Sequence, residues 1–306
     1  MWLTHRPYDR DVGSPTAIAR RLWRSRKLRY GAAKRWWRRR KQDTALALLD
    51  LRYRVLGRRD PLIPPRRRKL PGWRADSRKM GREWVRIFES EAGLRGDARV
   101  LDIGCGPGRV AAALTRCLDD GSYEGFDVDR PSIGWCQEVI ARRHPSFRFQ
   151  IADIYNASYN PDGLQEPSNY RFPFPDSDFD LAFALSVFTH MPPTDTEQYL
   201  REAARVLRPG GHLVATFFLV NNEILNSQAG DSPERRRRIQ HELTDDEGRP
   251  YRSSVKETPE RMIAQYEDDV REMYDRTGLE IEQITRGHWK GGFPGSGQDR
   301  VVAVNR

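Results

Sequence analysis

Three glycines at alternate positions, Gly104, Gly106 and Gly108, constrain the fold of this chain more than any other feature of its sequence. They follow the apolar-biased run 100–103, which is typical of a buried parallel strand, and precede a run at 110–114 that favours a helix. Glycine permits positive φ and lets a ligand approach the main chain closely. The stretch therefore predicts a strand, a tight turn and a helix start that can bind a ligand, although a glycine turn alone is a weak signal.

Strands and helices alternate in the pattern that follows. Strands are predicted at 100–103, 123–127, 147–151, 179–185, 213–219, 280–286 and 300–304. Helices are predicted at 79–92 and 131–143, from a capping box formed by Thr194 and Glu197, and over 258–276 after a Thr-Pro start signal. This alternation predicts an α/β fold with a doubly wound, mostly parallel sheet.

Two carboxylates stand at the ends of predicted strands. Asp127 closes the second strand, where a carboxylate can accept hydrogen bonds from both hydroxyls of a ribose. Asp153 follows the third strand. The plain alternatives are a solvated strand-end position for Asp127 and a helix cap or turn for Asp153.

The spacing of the glycines argues against a dinucleotide. The pattern is G-x-G-x-G rather than G-x-G-x-x-G, and Asp102 would repel a pyrophosphate but attract an ammonium group. Together with Asp127, Asp153 and the stretch RVLRPGG at 205–211, the pattern resembles class I (Rossmann-like) methyltransferases that depend on S-adenosyl-L-methionine (SAM). More narrowly, it resembles bacterial small-molecule and sugar O-methyltransferases.

The resemblance implies SAM as the cofactor and a seven-stranded sheet whose last strand is antiparallel. The resemblance rests on motifs over about residues 80–220, and over 258–306 it rests only on the pattern of predicted strands and helices. It implies that Asp153 contacts the adenine while Ile154 flanks the ring. The implied cofactor site consists of Asp102, Gly104, Cys105, Gly106, Gly108, Asp127, Val128, Asp153, Ile154 and Leu185.

His190 is the predicted general base, because it follows the fourth strand at the sheet edge where ligands bind in this architecture. An ordinary histidine pKa of about 6.5 leaves a neutral imidazole that can take the proton of an acceptor hydroxyl. The alternative is a helix-start histidine bonded to the main chain. Tyr159, His288 and Asp299 are weaker candidates for acceptor contacts, and no carboxylate cluster indicates a metal ion.

These features predict a methyltransferase acting on a hydroxyl of a small molecule or of a sugar or glycan intermediate. Substrate choice is assigned to the loop 155–177 and to the charged stretch 222–257. RNA ribose methylation and non-catalytic SAM binding are the alternatives. The stretch HMPPT at 190–194 lacks the Asn or Asp and the aromatic residue of amino-directed base methyltransferases, and it contains no cysteine for cytosine C5 chemistry.

Charge divides the chain into a basic, partly helical N-terminal extension, 1–78, and a methyltransferase domain, 79–306, with an insertion at about 222–257. Residues 1–99 contain 29 Lys and Arg against 10 Asp and Glu, whereas the remainder contains 24 against 33. Residues 20–41 combine twelve basic residues with three tryptophans and no acid. This segment predicts peripheral contact with an anionic membrane, with RNA less favoured and a solvated basic helix as the alternative.

The remaining composition predicts a cytoplasmic protein, and the basic segment predicts that it associates peripherally with the membrane. Its three cysteines form no C-x-x-C pair, which argues against a disulfide framework and a zinc site. No apolar run approaches the roughly 20 residues that span a bilayer. The N-terminal charges are not followed by the apolar run of a secretory signal, so none is expected.

Overall fold

The structure is a computed structural model that describes residues 60–65, 77–157, 159–227, 239–287 and 297–306, with isolated residues between 44 and 56. Internal contacts divide the chain into two units, Met1–Arg59 with Pro65–Arg68, and Asp60–Pro64 with Lys69–Arg306. The predicted membrane-contact segment 20–41 lies outside the described residues, as does His288. Among the described residues, no helix has the length and apolarity needed to cross a bilayer.

The first unit shows helical residues between 44 and 55. Leu48, Leu51, Val55 and Leu56 each leave more than half of their surface exposed, from 53% to 77%. The first three are spaced as residues on one side of a helix.

The second unit contains eleven strands among its described residues. In chain order they are β1 (Arg99–Ile103), β2 (Ser122–Asp127), β3 (Phe147–Ile151), β4 (Phe179–Ala184), β5 (Leu207–Phe217), β6 (Leu219–Val220), β7 (His241–Thr244), β8 (Pro250–Ser253), β9 (Ile263–Tyr266), β10 (Leu279–Thr285) and β11 (Asp299–Asn305). Seven of them form one sheet in the order β10-β11-β5-β4-β1-β2-β3. β11 is antiparallel to both neighbours and the other pairs are parallel, which confirms the predicted fold class.

Helices flank this sheet. They are α1 (Ser77–Glu91), α2 (Ala111–Leu114), α3 (Arg130–Trp135), which continues as a π-helix over Cys136–Ala141, α4 (Pro193–Val206), α5 (Asn222–Ser227) and α6 (Glu267–Thr277). Asp129 caps α3, where its carboxylate accepts from the Ser132 N–H at 2.9 Å. Gly278, at φ 81°, adopts the left-handed conformation that ends α6.

The sheet buries apolar side chains on both faces, as parallel sheets do. Val100 belongs to one buried cluster and Leu101 to another, because successive strand residues point to opposite faces. Phe88 of α1 packs against Phe183 of β4 with ring centroids 4.7 Å apart. The helix predicted before the first strand therefore contributes directly to the core.

The capping box predicted at the start of α4 is wrong. The helix begins at Pro193, and the main-chain N–H and Oγ1 of Thr194 both donate to Asp245 Oδ2, at 2.9 and 2.7 Å. Glu197 instead pairs with Arg249 and Arg276. A carboxylate 51 residues away thus accepts from the Thr194 N–H, the donor that the local pattern assigned to Glu197.

The single helix predicted over 258–276 is also wrong. A 3₁₀ turn, Pro259–Arg261, is followed by β9 and only then by α6. β9 is held between β6 and β8 in a second sheet of order β6-β9-β8-β7. The predicted insertion 222–257 supplies α5, β7 and β8, so its described part contains regular secondary structure.

Candidate active site

A cavity of about 460 Å³ lies at the carboxyl ends of the central strands. This is the sheet edge at which the sequence predicted ligand binding. The predicted residues that line it are Gly104, Cys105, Gly106, Asp127, Val128, Ile154, Tyr159, Leu185 and His190. The cavity therefore unites most of the predicted cofactor site with the predicted base.

The glycine turn adopts the backbone conformation that its composition indicated. Gly104, Gly106 and Gly108 have φ of 76°, 51° and 74°. A Cβ at Gly104 would lie 2.6 Å from Val187 Cγ2, whereas a Cβ at Gly106 would meet nothing within 4 Å. The main-chain N–H groups of Gly104 and Cys105 donate to Phe126 O, at 2.9 and 3.0 Å. The turn is thus held against the end of β2 and leaves open space at Gly106.

Asp127 joins the end of β2 to this turn. Its Oδ2 accepts from the Gly106 N–H at 2.7 Å, and its Oδ1 accepts from the Asp129 N–H at 2.8 Å. Burial raises the pKa of the Asp127 carboxyl, while these donors act in the opposite direction. The carboxylate is fixed at the cavity wall beside the glycine turn, where the sequence placed a ribose contact.

Asp102 lies behind the turn and does not line the cavity. It is 3% exposed, and Tyr123 Oη donates to its Oδ2 at 2.6 Å. Burial raises the pKa of Asp102 to about 8, and the hydrogen bond from Tyr123 opposes that rise. A contact between this carboxylate and an ammonium group stays a prediction.

The buried carboxyl of Asp102 makes stability depend on pH. Its pKa rises from 3.8 to about 8, so its stabilising contribution is complete below pH ~4 and is lost as pH rises through 8. Asp102→Asn keeps an oxygen that can accept from Tyr123 but has no proton to lose. Urea unfolding at pH 5 and at pH 9 gives the free energy of unfolding of each protein. Between these two pH values, wild type should lose at least about 2 kcal/mol more of that free energy than the variant does. Equal losses in the two proteins would contradict this role of Asp102.

Two other predicted cofactor residues lie outside the cavity lining, Gly108 and Asp153. The side chain of Asp153 is 33% exposed and lies 3.5 Å from Arg130 and 3.4 Å from Asn160. Ile154, the next residue, does line the cavity. The adenine contact predicted for Asp153 remains a prediction.

His190 ends the 3₁₀ turn Phe188–His190 that follows β4. Its Nδ1 lies 2.7 Å from Glu260 O, and a carbonyl can only accept, so Nδ1 carries the hydrogen. The neutral ring then presents Nε2 as the nitrogen that can take a proton. Burial lowers the pKa of His190, which favours the neutral base at pH 7. The alternative for His190 was a histidine that bonds to the main chain, and this bond is present. Because it uses Nδ1 and leaves Nε2 free to take a proton, it is compatible with a catalytic role.

A buried glutamine braces the turn that carries His190. Gln265 on β9 is 1% exposed, and its Nε2 donates to Phe188 O and Met191 O at 3.3 and 3.1 Å. It also donates to Thr196 Oγ1 at 2.8 Å. The second sheet thereby anchors both ends of the histidine turn.

Two of the weaker candidates for acceptor contacts, Tyr159 and Asp299, lie in different surroundings. Tyr159 lines the cavity, and its ring lies edge-on to the His190 ring at 6.5 Å. The interpretation of Asp299 needs correction. That side chain is fully buried, and its carboxylate accepts from the N–H groups of Leu219 and Gly287 at 2.8 and 2.9 Å. Asp299 therefore holds main chain together, and its neighbour Gln298 lines the cavity instead.

Sequence reasoning missed a polar group on the cavity wall. Ser186 lines the cavity with φ 61°, an uncommon conformation for a residue other than glycine. Its N–H donates to Thr216 Oγ1 at 2.7 Å, and its Oγ donates to Gln298 Oε1 at 2.9 Å. Only its position after the fourth strand signalled this residue, because a positive φ cannot be read from a serine.

Comparison with known proteins identifies the kind of domain. Residues 100–211 match a family described as a methyltransferase domain. A phthiotriol/phenolphthiotriol dimycocerosates methyltransferase of Mycobacterium ulcerans is 36% identical over 133 residues, 43% of this chain and 41% of that protein. A 27-O-demethylrifamycin SV methyltransferase of Amycolatopsis mediterranei is 30% identical, over 48% of this chain and 50% of that protein.

A fatty-acid O-methyltransferase of Mycolicibacterium smegmatis is 31% identical over 145 residues, 46% of this chain and 46% of that protein. The chain thus spans half or less of the length of these relatives.

Proposed function

We propose that this chain, whose residues 100–211 match a family described as a methyltransferase domain, is a class I methyltransferase that transfers a methyl group from SAM to an oxygen of a small-molecule or lipid acceptor. One observation carries the proposal. The glycine turn, Asp127 and His190 line a single cavity, so a cofactor subsite and a proton acceptor face the same space.

The residues of the cavity fit SAM. Gly106 leaves open space at the turn, and Asp127 beside it supplies carboxylate oxygens for the ribose hydroxyls. Asp102 lies behind the turn and outside the cavity lining, so its contact with the ammonium group remains a prediction. When bound, SAM supplies a methyl group activated by the sulfonium.

His190 serves as general base for an acceptor hydroxyl. Nε2 would take the proton of the acceptor hydroxyl, and the Nδ1 hydrogen bond to Glu260 O would stabilise the imidazolium that forms. Transfer of the methyl group to the acceptor oxygen would break its bond to sulfur and leave S-adenosyl-L-homocysteine. Gln265 keeps the histidine turn in place during this step. Much of the rate comes from holding the acceptor oxygen in line with the methyl group.

Apolar side chains on the cavity wall favour an acceptor with an apolar body. They include Met191, Tyr199, Phe218 and Met262. One relative is named as a fatty-acid O-methyltransferase, which supports the same acceptor class. Another is named for an O-demethylated small molecule, which supports transfer to oxygen. A sugar or glycan acceptor, the other expectation from sequence, receives less support from this wall.

Methyl transfer can be followed with SAM labelled on its methyl group and the full chain. The panel holds a hydroxylated fatty acid, a fatty acid, a phenol, a monosaccharide and an RNA transcript. We expect label in an amphiphilic acceptor and none in RNA. Label in RNA alone would favour the ribose-methylating alternative, and SAM binding without transfer to any member would favour a non-catalytic SAM-binding protein.

The basic segment 20–41 is proposed to place the enzyme at an anionic membrane. Its twelve positive charges and three tryptophans suit lipid headgroups, and Leu48, Leu51 and Val55 add an exposed apolar stripe in the same unit. Each basic residue near such a surface contributes on the order of 1 kcal/mol.

Sedimentation with vesicles tests the membrane proposal. The full chain should sediment with phosphatidylglycerol vesicles at low salt, release at high salt, and ignore phosphatidylcholine vesicles. Steeply salt-dependent binding to RNA without vesicle binding would contradict it. Binding to neither would make the segment a solvated basic extension.

A further inference from the structure

Arg261 differs from the other arginines in its part of the chain. Among the described residues 249–286, five arginines pair with carboxylates, and they are Arg249, Arg252, Arg271, Arg276 and Arg286. Arg261 is exposed and forms no side-chain hydrogen bond or ion pair with any described residue, although its main-chain N–H donates to Thr258 O. Its charge is therefore available to a ligand.

The position of Arg261 couples it to the proposed base. It closes the 3₁₀ turn Pro259–Arg261, in which the preceding residue, Glu260, supplies the carbonyl that holds His190 Nδ1 at 2.7 Å. Arg261 and the next residue, Met262, both line the cavity. One short turn thus orients the histidine and presents a cation to the same space.

The other charged groups at the cavity belong to the proposed cofactor end. Asp127 and Asp129 stand at the end of β2, and Arg109 follows the glycine turn. Arg109 interacts electrostatically with the buried Asp102. Arg261 is the cavity-lining arginine on the histidine side, beside the apolar wall of Met191, Phe218 and Met262.

We propose that Arg261 binds an anionic group, a carboxylate or a phosphate, of an amphiphilic acceptor. The guanidinium pairs with the charged group, the apolar wall contacts the acceptor body, and the acceptor hydroxyl reaches His190. This inference rests on the proposed function and adds the charge class of the substrate. A cation at one end and an apolar wall beside it are complementary to such an anion.

Binding of matched probes tests the role of Arg261. The full chain, saturated with S-adenosyl-L-homocysteine (SAH), is titrated with 10-hydroxydecanoate, 10-hydroxydecyl phosphate and the neutral 1,10-decanediol. Wild type should bind at least one of the anions roughly tenfold more tightly than the diol, because a charge-assisted pair is lost with the neutral probe. The anion that binds more tightly, the carboxylate or the phosphate, is the group that Arg261 recognises.

Variants separate this inference from the proposed function. Arg261→Gln should lose the preference for the anion, Arg261→Lys should keep part of it, and Lys256→Gln, a nearby exposed residue outside the cavity lining, should keep all of it. A preference retained in Arg261→Gln, equal affinity for all probes, or no binding of any probe would overturn the inference. SAH binding is measured for each protein, and its absence in wild type would instead refute the proposed function.

Discussion

Replacing His190 with alanine is expected to lower kcat by roughly 10²–10⁴ while the affinity for SAM changes little. The side chain lies on the cavity wall, and its Nδ1 is engaged by Glu260 O, so Nε2 is the group that can take the acceptor proton. Without it, the hydroxyl must lose its proton to water. Label transfer from SAM to the acceptor measures kcat, and SAH titration measures the cofactor affinity.

Dependence of kcat on pH gives a second readout for His190. Burial lowers its pKa below 6.5, so wild-type kcat should rise with pH through a midpoint below that value and then level off. His190→Ala should lose this rise, and His144→Ala, a histidine outside the cavity lining, should keep it. Full turnover in His190→Ala would assign the residue a purely structural role.

Removing the carboxylate of Asp127 is expected to weaken binding of SAM and SAH by roughly tenfold or more. Asp127→Ala deletes the predicted acceptors for the ribose hydroxyls and also frees the N–H groups of Gly106 and Asp129. Both effects act on the cofactor subsite. Calorimetric titration with SAH measures the loss.

Two further variants divide the loss at Asp127 into its causes. Asp127→Asn retains one oxygen that can accept from a main-chain N–H. A loss of SAH affinity in this variant that is nearly as large as in Asp127→Ala would therefore be due to the missing charge. Asp97→Asn, an exposed residue on the approach to β1, should bind SAH as wild type does. Unchanged affinity in Asp127→Ala would remove this carboxylate from the cofactor site.

The central strands could be predicted because their signals are local. The expected strand 147–151 coincides with β3, and 100–103 and 123–127 each differ from β1 and β2 by one residue at the start. Apolar residues that fill both faces of a parallel sheet, bounded by glycine and aspartate, mark these elements within a few residues. The positive φ at Gly106 was predictable for the same reason.

Elements that depend on distant partners were not predictable. α4 takes its N-terminal acceptor from Asp245, and the first part of the expected helix 258–276 becomes β9 because β6 and β8 pair with it. Asp299 shows the same limit for a site residue. Its sequence position suggested the cavity edge, but two main-chain donors hold it in the core.

The cofactor side and the acceptor side of the cavity differ in how far sequence reasoning reaches. Gly104, Gly106 and Asp127 lie within the matched family range, 100–211. Arg261 and Gln298 lie beyond it, and only the folding of the second sheet and the closing strands brings them to the cavity. Part of the proposed acceptor side, including Arg261, is therefore encoded outside the range that matches the family.

Calorimetric titration of the full chain with SAH, SAM and NAD⁺ decides most directly whether this cavity is a SAM site. The geometry of the glycine turn and Asp127 predicts that each chain binds one molecule of either SAH or SAM, and that the two compete for the same site. NAD⁺ should give no heat of binding. Binding of NAD⁺ without binding of SAH or SAM would contradict the assignment of the cofactor and of the reaction.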